Sequence, residues 1–285
     1  VLLVDFNQVV ISNFMTQVGN HTNIPLDEGL LRHMILNTIR LNRNKFADKY
    51  GEMVICCDSK KYWRRDVFPY YKASRKKDRE ASGVDWNTMF NTLSTVRQEL
   101  IDNFPYKTLM IEGAEADDII GTIVHKYNQY EKEILILSSD KDFMQLQVYD
   151  NVKQYSPVHK KFIRTADAEL YLKEHIIKGD RGDGIPNISS PDSVFVTGGR
   201  QKPMRKKLIE QIANTNVFTA GDVSEEIKRN FARNKQLVDL SETPKELQDE
   251  IVSAYTNYEV KDRSGLFNYF VNNKLKNLME NLSEF

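Results

Sequence analysis

The chain has 285 residues, with 40 basic and 40 acidic side chains and a formal net charge of zero, so overall charge argues neither for nor against a polyanionic partner. That length builds one large or two ordinary domains with ample core, and no apolar run reaches the ~18 residues a membrane-spanning helix needs. The only cysteines, Cys56 and Cys57, are adjacent, which excludes a disulfide framework and reads as buried core in a reducing compartment.

The chain opens inside an apolar strand, 1–5, without an initiator Met, so a native N-terminal segment is expected to precede it. Leu30, Leu31, Met34, Ile35, Ile39 and Leu41 recur at near-helical spacing across 26–50, and a strand over 53–58 follows. Residues 86–104 read as a helix through Phe90, Leu93, Val96, Leu100 and Ile101, with Asp85 as N-cap. A strand at 107–112, a helix at 115–130 and a strand at 133–139 come next, then short strands at 152–156 and 160–164 about the Ser156-Pro157 turn. This alternation through residue 178 predicts a mostly parallel, doubly wound α/β sheet with flanking helices. Beyond it the strand signal stops. Glycines and prolines from Gly179 to Pro191 make turns, and segments 203–214, 223–233, 244–257 and 265–282 predict a smaller all-helical domain. The expected division is therefore 1–178 and 179–285.

Seven carboxylates lie at or just past the predicted strand ends: Asp5, Asp58, Glu115, Asp117, Asp118, Asp140 and Asp142. Open α/β sheets bind their ligands in the crevice at the carboxyl ends of the strands. An isolated acidic cluster at a helix start merely answers the helix dipole, but four on successive strand ends exceed that explanation. Two unit charges about 4 Å apart repel by roughly 4 kcal/mol at an effective dielectric of ~20. So dense a set must take up protons or hold cations. Hard oxygen donors suit Mg²⁺ or Mn²⁺. His21, His33, His125, His159 and His175 fall at no zinc spacing and read as ordinary surface or structural histidines.

Paired divalent ions about 3.5–4 Å apart activate water and stabilise both the attacking and the leaving oxygen of a phosphodiester. The sequence offers no supported Ser-His-Asp set, P-loop or dinucleotide fingerprint, so metal-activated water is the economical mechanism. Residues 59–80 hold nine Lys/Arg against three Asp/Glu, and residues 178–207 hold seven against three. Basic surface beside an acidic pocket suits a polyanionic substrate. Segment 59–85 connects a strand end to a helix across the crevice. It interleaves cations with rings, as in Tyr62-Trp63-Arg64-Arg65 and Tyr70-Tyr71-Lys72-Ala73-Ser74-Arg75, and continues through Lys76 and Lys77. Such residues contact phosphates and stack bases of a single strand, and the connection is expected to be mobile alone and ordered on substrate. Lys178-Gly179-Asp180-Arg181-Gly182-Asp183-Gly184 leads to a second basic group, Lys202, Arg205, Lys206 and Lys207. Tight turns opening on helix starts grip phosphates without reading bases.

In order and spacing, Val4-Asp5-Phe6-Asn7, Tyr62-Trp63-Arg64-Arg65-Asp66, Glu115-Ala116-Asp117-Asp118, Ser138-Ser139-Asp140-Lys141-Asp142-Phe143 and Lys178-Gly179-Asp180 with Asp183 together resemble the structure-specific 5′-nuclease (flap endonuclease) family over nearly the whole chain. The resemblance implies a Mg²⁺-dependent enzyme with a PIN-like nuclease domain that cuts RNA or DNA from a free 5′ end on a duplex, releasing primers and flaps. It implies that Asp5, Asp58, Glu115 and Asp117 hold a first Mg²⁺, with Asp118 beside them, and that Asp140, Asp142, Asp180 and Asp183 hold a second, Mn²⁺ substituting. Lys72 and Arg75 match cations near the scissile phosphate. Segment 178–207 matches a helix-three-turn-helix that holds the duplex and takes a monovalent cation. Duplex DNA, RNA–DNA hybrid, a sliding clamp and a single-strand DNA-binding protein are the implied partners, for a monomer with no membrane association in a cytoplasm, the host's if the gene is a phage's. The chain departs from the family's GDxxDNIPG loop, with Gly184 in place of Asn and Asn187 in place of Gly.

Two other readings compete. A haloacid dehalogenase-type phosphatase also starts with a strand ending in Asp, but needs a second Asp where Asn7 stands. An inactive nucleic-acid-binding scaffold is opposed by retention of every proposed ligand. The amphipathic end, 277–285, reads as core packing of a last helix, with docking to a replication partner as the alternative.

Overall fold

The computed structural model describes residues 1–18, 26–214 and 223–285; His21 lies outside them. Six strands form one sheet in the order β3-β2-β1-β4-β5-β6. They are β1 (Leu2–Asp5), β2 (Met53–Cys56), β3 (Lys107–Leu109), β4 (Ile134–Leu137), β5 (Val152–Ser156) and β6 (Lys161–Ile163). All neighbours are parallel except β5 with β6. The chain runs from β1 outward to β2 and β3, then returns to place β4 on the other side of β1. That reversal creates the crevice at the strand ends.

Strand side chains alternate between the two faces, and each face has its own cover. Leu2, Val4, Met53, Ile55, Leu135 and Leu137 pack under α1 (Phe6–Val18), α2 (Glu28–Tyr50) and α5 (Trp86–Asn103). Leu3, Val54, Cys56, Ile134 and Ile136 pack under α6 (Ala116–Tyr127) and α10 (Lys245–Thr256). Both cysteines are buried free thiols. The sheet is thus the doubly covered, mostly parallel one expected.

The remaining helices are α3 (Trp63–Val67), α4 (Arg75–Ala81), α7 (Ala168–Lys178), α8 (Lys206–Ala213), α9 (Glu225–Val238), α11 (Leu266–Asn272) and α12 (Lys276–Met279). After residue 179 the named elements are all helical. Ile177, Ile188, Ile209 and Ile212 form a small core among α7, α8 and their turns. The later helices pack elsewhere: α10 covers one sheet face, and α11 with α12 joins the core of the other. Among the described residues no helix is long and apolar enough to cross a membrane.

Several boundaries differ from expectation. Helix α1 was not anticipated, because the β-branched run Val9-Val10-Ile11 masks the helical recurrence of Phe6, Val9, Val10 and Phe14, all buried. Leu30 and Leu41, counted on the apolar face of the second helix, are 59% and 53% exposed. The helix expected over 265–282 is broken: Lys274, at φ 56°, ends α11 before α12 begins. At the chain's end Phe285 is fully buried against Phe104 and Phe270, with ring centroids 5.7 and 5.0 Å away. This segment is core, and the aromatic end is not presented to a partner.

Candidate active site

Register places the acids. Asp5 ends β1 beside Cys56 of β2, and Asp58 follows two residues later. Glu115 caps α6, and Asp117 lies in its first turn. Asp140 caps the 3-10 helix Lys141–Val148 after β4. Asp5, Asp58, Glu115, Asp117 and Asp140 line one cleft of about 490 Å³, together with Asn7, Gln8, Tyr62, Lys72, Arg75, Arg79, Trp86 and Phe90. A larger cavity of about 730 Å³ between α1, α2 and the β5–β6 turn has Asp27 as its only acid among the described residues. Asp27 is occupied in capping α2, so the chemistry lies in the smaller cleft.

Local hydrogen bonds orient the carboxylates. Asp5 accepts from the Gln8 N–H at 3.2 Å and the Ser138 hydroxyl at 2.9 Å. Asp58 accepts from the Asn7 amide and from the Ala116 N–H at the start of α6, both at 2.8 Å. Gln8 in turn accepts from the Ser139 N–H at 2.9 Å, tying α1 to the loop that carries Asp140. Asp117 has no hydrogen-bond partner among the described residues and faces the cleft.

Burial, with Asp58 and Asp140 nearby, pushes the Asp5 carboxyl up to about 8. Burial and neighbouring acids likewise raise Asp117, Asp140 and Asp142 above the ordinary carboxylate range. Groups of this kind ionise together only when cations join them. The donor set, oxygens converging in a half-closed cleft, fits divalent cations of the Mg²⁺ or Mn²⁺ type.

A second set adjoins the first. Asp142 and Asp180, with His175 between them, offer three ligand atoms within 4.8 Å of one another. Burial works against ionised Asp180, but the His175 hydrogen bond holds its carboxyl below the usual range. Asp183 links the two sets. It accepts from the Tyr71 hydroxyl at 2.9 Å and pairs with Arg75, and the Lys72 ammonium lies 3.4 Å away. Burial opposes these charges, yet Lys72 and Arg75 keep Asp183 ionised, and Asp183 and Glu115 hold the Lys72 ammonium above its usual range.

Three assignments need correction. Asp118 is not free to hold a metal. Completely buried, it caps the Glu115 N–H at 2.9 Å and accepts from Trp63 at 3.2 Å, Thr243 at 2.9 Å and both terminal nitrogens of Arg64. Arg64, 2% exposed, is spent on that carboxylate, on Glu115 and on the Leu237 carbonyl, so it contacts no phosphate. Tyr71, also 2% exposed, bonds Glu115 and Asp183 and presents no ring to a base. The sequence suggested a metal ligand in Asp118 and nucleic-acid contacts in Arg64 and Tyr71 because it lists charges and rings without their inward turn.

Tyr70 is at the surface, as are Arg65, Lys76, Lys77, Lys202, Arg205, Lys206 and Lys207. Arg75 is half exposed. In the turns after α7, Gly184 has φ 74°, and a Cβ there would come within 2.9 Å of the Tyr70 carbonyl. Asn is therefore excluded at this position by contact with the 59–85 segment. Asn187 is buried and bonds Ser189, Ser190, Gln201 and Lys202, joining the turns to the basic approach of α8. The two departures from the family loop thus have structural reasons.

Sequence reasoning missed Gln8, Trp86, Phe90 and His175. Trp86 and Phe90 stack at 5.6 Å in the cleft wall, and only their i,i+4 spacing at the start of α5 hinted at it. His175 was legible only as a helix's last turn before Gly179-Asp180.

The family model for the 5′-3′ exonuclease N-terminal resolvase-like domain matches residues 1–176, and that for the T4 RNase H C-terminal region matches 166–285. Ribonuclease H of Enterobacteria phage T4 is 35% identical over all of this chain and 95% of its own length. A 5′-3′ exonuclease of Buchnera aphidicola (Schizaphis graminum) is 29% identical over 66% of this chain and 65% of its own. In fold, the T5 5′-exonuclease with bound zinc ions superposes with TM-score 0.62 and 18% identity, over 89% of this chain and 97% of that one. A T5 flap endonuclease complex with DNA and metal ions superposes with TM-score 0.59, also at 18% identity, over 90% and 99%. Within the family resemblance, the motif set points to the ribonuclease H of T-even bacteriophages, in agreement with these likenesses.

Proposed function

Because this chain belongs to the 5′-3′ exonuclease family, we propose that it is a Mg²⁺-dependent 5′→3′ exonuclease and flap endonuclease that hydrolyses phosphodiesters of RNA or DNA 5′ strands on duplexes. The convergence of Asp5, Asp58, Glu115, Asp117 and Asp140 on the cleft that Lys72 and Arg75 also line carries this reading.

Asp5, Asp58, Glu115, Asp117 and Asp140 would hold one ion, and Asp142, Asp180 and Asp183 complete the second position with Asp140. Bound divalent ions there supply activated water and offset charge gathering on the phosphate. The protein's own groups do the rest. Ser138, Gln8, Asn7 and the start of α6 fix the carboxylates in place. Lys72 and Arg75, bound to Glu115 and Asp183 without substrate, stand ready to turn toward a scissile phosphate as further positive charge. Trp86 and Phe90 give the cleft an apolar wall against which an unpaired strand rests.

Exposed Lys76 and Lys77, and likewise Lys202, Arg205, Lys206 and Lys207, supply phosphate contacts for the duplex. The proposed division assigns 1–178 to the nuclease domain and 179–285 to duplex binding, with Asp180 and Asp183 reaching back to the second metal position. The biological role proposed is removal of RNA primers and flaps during phage lagging-strand synthesis in the host cytoplasm, by a monomer working beside a sliding clamp and a single-strand DNA-binding protein. A monovalent cation at the turns after α7 belongs to the same proposal.

The test is digestion of a flapped duplex labelled at its 5′ end or its 3′ end, with Mg²⁺ and with chelator. Short Mg²⁺-dependent products from the 5′ end support the reading. Binding without cleavage under every metal condition favours a scaffold.

A further inference from the structure

His175 lies in the last turn of α7, which ends at Gly179 with φ 66°. A Cβ at Gly179 would come within 2.4 Å of the Ile185 carbonyl, so glycine is required for the turn that brings Asp180 back against the helix. Its result is that His175 Nε2 lies 3.4 Å from Asp180 Oδ2. On its other side α7 packs on the 3-10 helix that begins after Asp140, and His175 Nδ1 lies 3.4 Å from Asp142 Oδ1. The ring is only 11% exposed and Tyr171 stands edge-on to it at 5.7 Å. Nδ1 is buried and has no hydrogen-bond partner among the described residues.

A buried polar nitrogen left without a partner is destabilising. A metal-bound histidine has a characteristic setting: one ring nitrogen on the ion, the other donating to a carboxylate. The distances around His175 match it, with Nε2 facing Asp180 and the unpartnered Nδ1 facing Asp142. The spread of the three ligand atoms, within 4.8 Å of one another, is one that a single cation bridges.

We propose that His175 is a nitrogen ligand of the second divalent cation, making this position a mixed nitrogen and oxygen site that prefers Mn²⁺ to Mg²⁺. The inference rests on the metal-dependent reading above and extends it to the choice of ion. Mg²⁺ favours an all-oxygen shell with several waters, whereas first-row transition ions accept imidazole more readily, Mn²⁺ the least of them but still more than Mg²⁺. A carboxylate-only second site would lack that bias.

The test is pulsed EPR of the full chain loaded with Mn²⁺, followed by competition with Mg²⁺. The expected spectrum contains nitrogen modulation that changes on ¹⁵N-histidine labelling and disappears in His175→Gln. The same substitution should lower the Mn²⁺-over-Mg²⁺ affinity ratio on the order of tenfold or more. Two bound Mn²⁺ without histidine nitrogen modulation overturn the inference and leave the nuclease reading intact; they mean that His175 only pairs with the two acids. Failure of Mn²⁺ to bind at all overturns the functional reading itself. The labelled unsubstituted protein decides the question even if His175→Gln does not fold.

Discussion

Lys72 meets Asp183 twice: its backbone N–H donates to the Asp183 carbonyl at 2.7 Å, and its ammonium lies 3.4 Å from the Asp183 carboxylate. The backbone of Lys72 is in the left-handed region, φ 55°, which is costly for a residue with a Cβ. The fold therefore holds a strained lysine from the basic connection against an acid from the turns after α7. That strain places its charge at the cleft, beside Glu115.

Lys72→Ala should consequently slow cleavage more than it weakens binding. Loss of one preorganised charge at a reacting group costs ~10²–10³-fold in rate, while many other cations retain the duplex. Single-turnover rates at saturating enzyme, compared with Kd in the presence of Ca²⁺, measure the two effects separately. A change in affinity alone would reduce Lys72 to a surface contact.

Stability of the metal-free protein should fall as pH rises from about 5 to about 8. Asp5, at about 8 in the folded protein, and Asp117, Asp140 and Asp142, all raised, bind protons more tightly folded than unfolded. Their stabilising contribution is complete below the unfolded carboxylate range and is lost as pH climbs through the folded values. The raised His175 acts in the same direction. Asp180 and Asp183 are lowered, so their contribution is lost only as pH falls through still lower values, outside this window. Mg²⁺ or Mn²⁺ should restore more stability at pH 8 than at pH 5. Thermal unfolding reads this out at roughly 2–4 °C per kcal/mol for a chain approaching this size, and an equal metal effect at both pH values would contradict it.

Asp118→Ala should damage the fold and not the metal site. Removing one partner from a buried ion pair costs about 3–5 kcal/mol, and Arg64, at 2% exposure, would keep only Glu115 and the Leu237 carbonyl. Denaturant unfolding beside Mn²⁺ titration separates the outcomes; retained stability with lost metal binding would restore Asp118 as a ligand.

That pair marks the boundary of what the sequence reveals. Strand ends and the acids after them were legible, because apolar runs of four or five residues and their terminal carboxylates are local patterns. The doubly wound sheet followed from their alternation with helices. The inward turn of Arg64, Asp118 and Tyr71 was not legible, since it depends on Leu237, Thr243 and Asp183 respectively, each more than a hundred residues away. His175 was invisible for a different reason: its partners Asp142 and Asp180 meet around it only because α7 packs on the 3-10 helix and Gly179 reverses the chain.

Substituting Lys206 and Lys207 with Ala should weaken duplex binding uniformly across sequences. If each neutralises one phosphate, the slope of log affinity against log salt becomes shallower by about 0.9 per residue. Fluorescence anisotropy at several salt concentrations measures it. An unchanged slope would move the duplex off the α8 surface.

The most direct test of the cleft is Asp117→Asn, which keeps shape and removes one carboxylate that makes no hydrogen bond among the described residues. Cleavage of a 5′-flapped duplex with Mg²⁺ should fall by at least ~10³-fold, about 4 kcal/mol of transition-state stabilisation, while duplex affinity stays within a few fold. Turnover close to that of the unsubstituted protein would contradict the assignment of the active site.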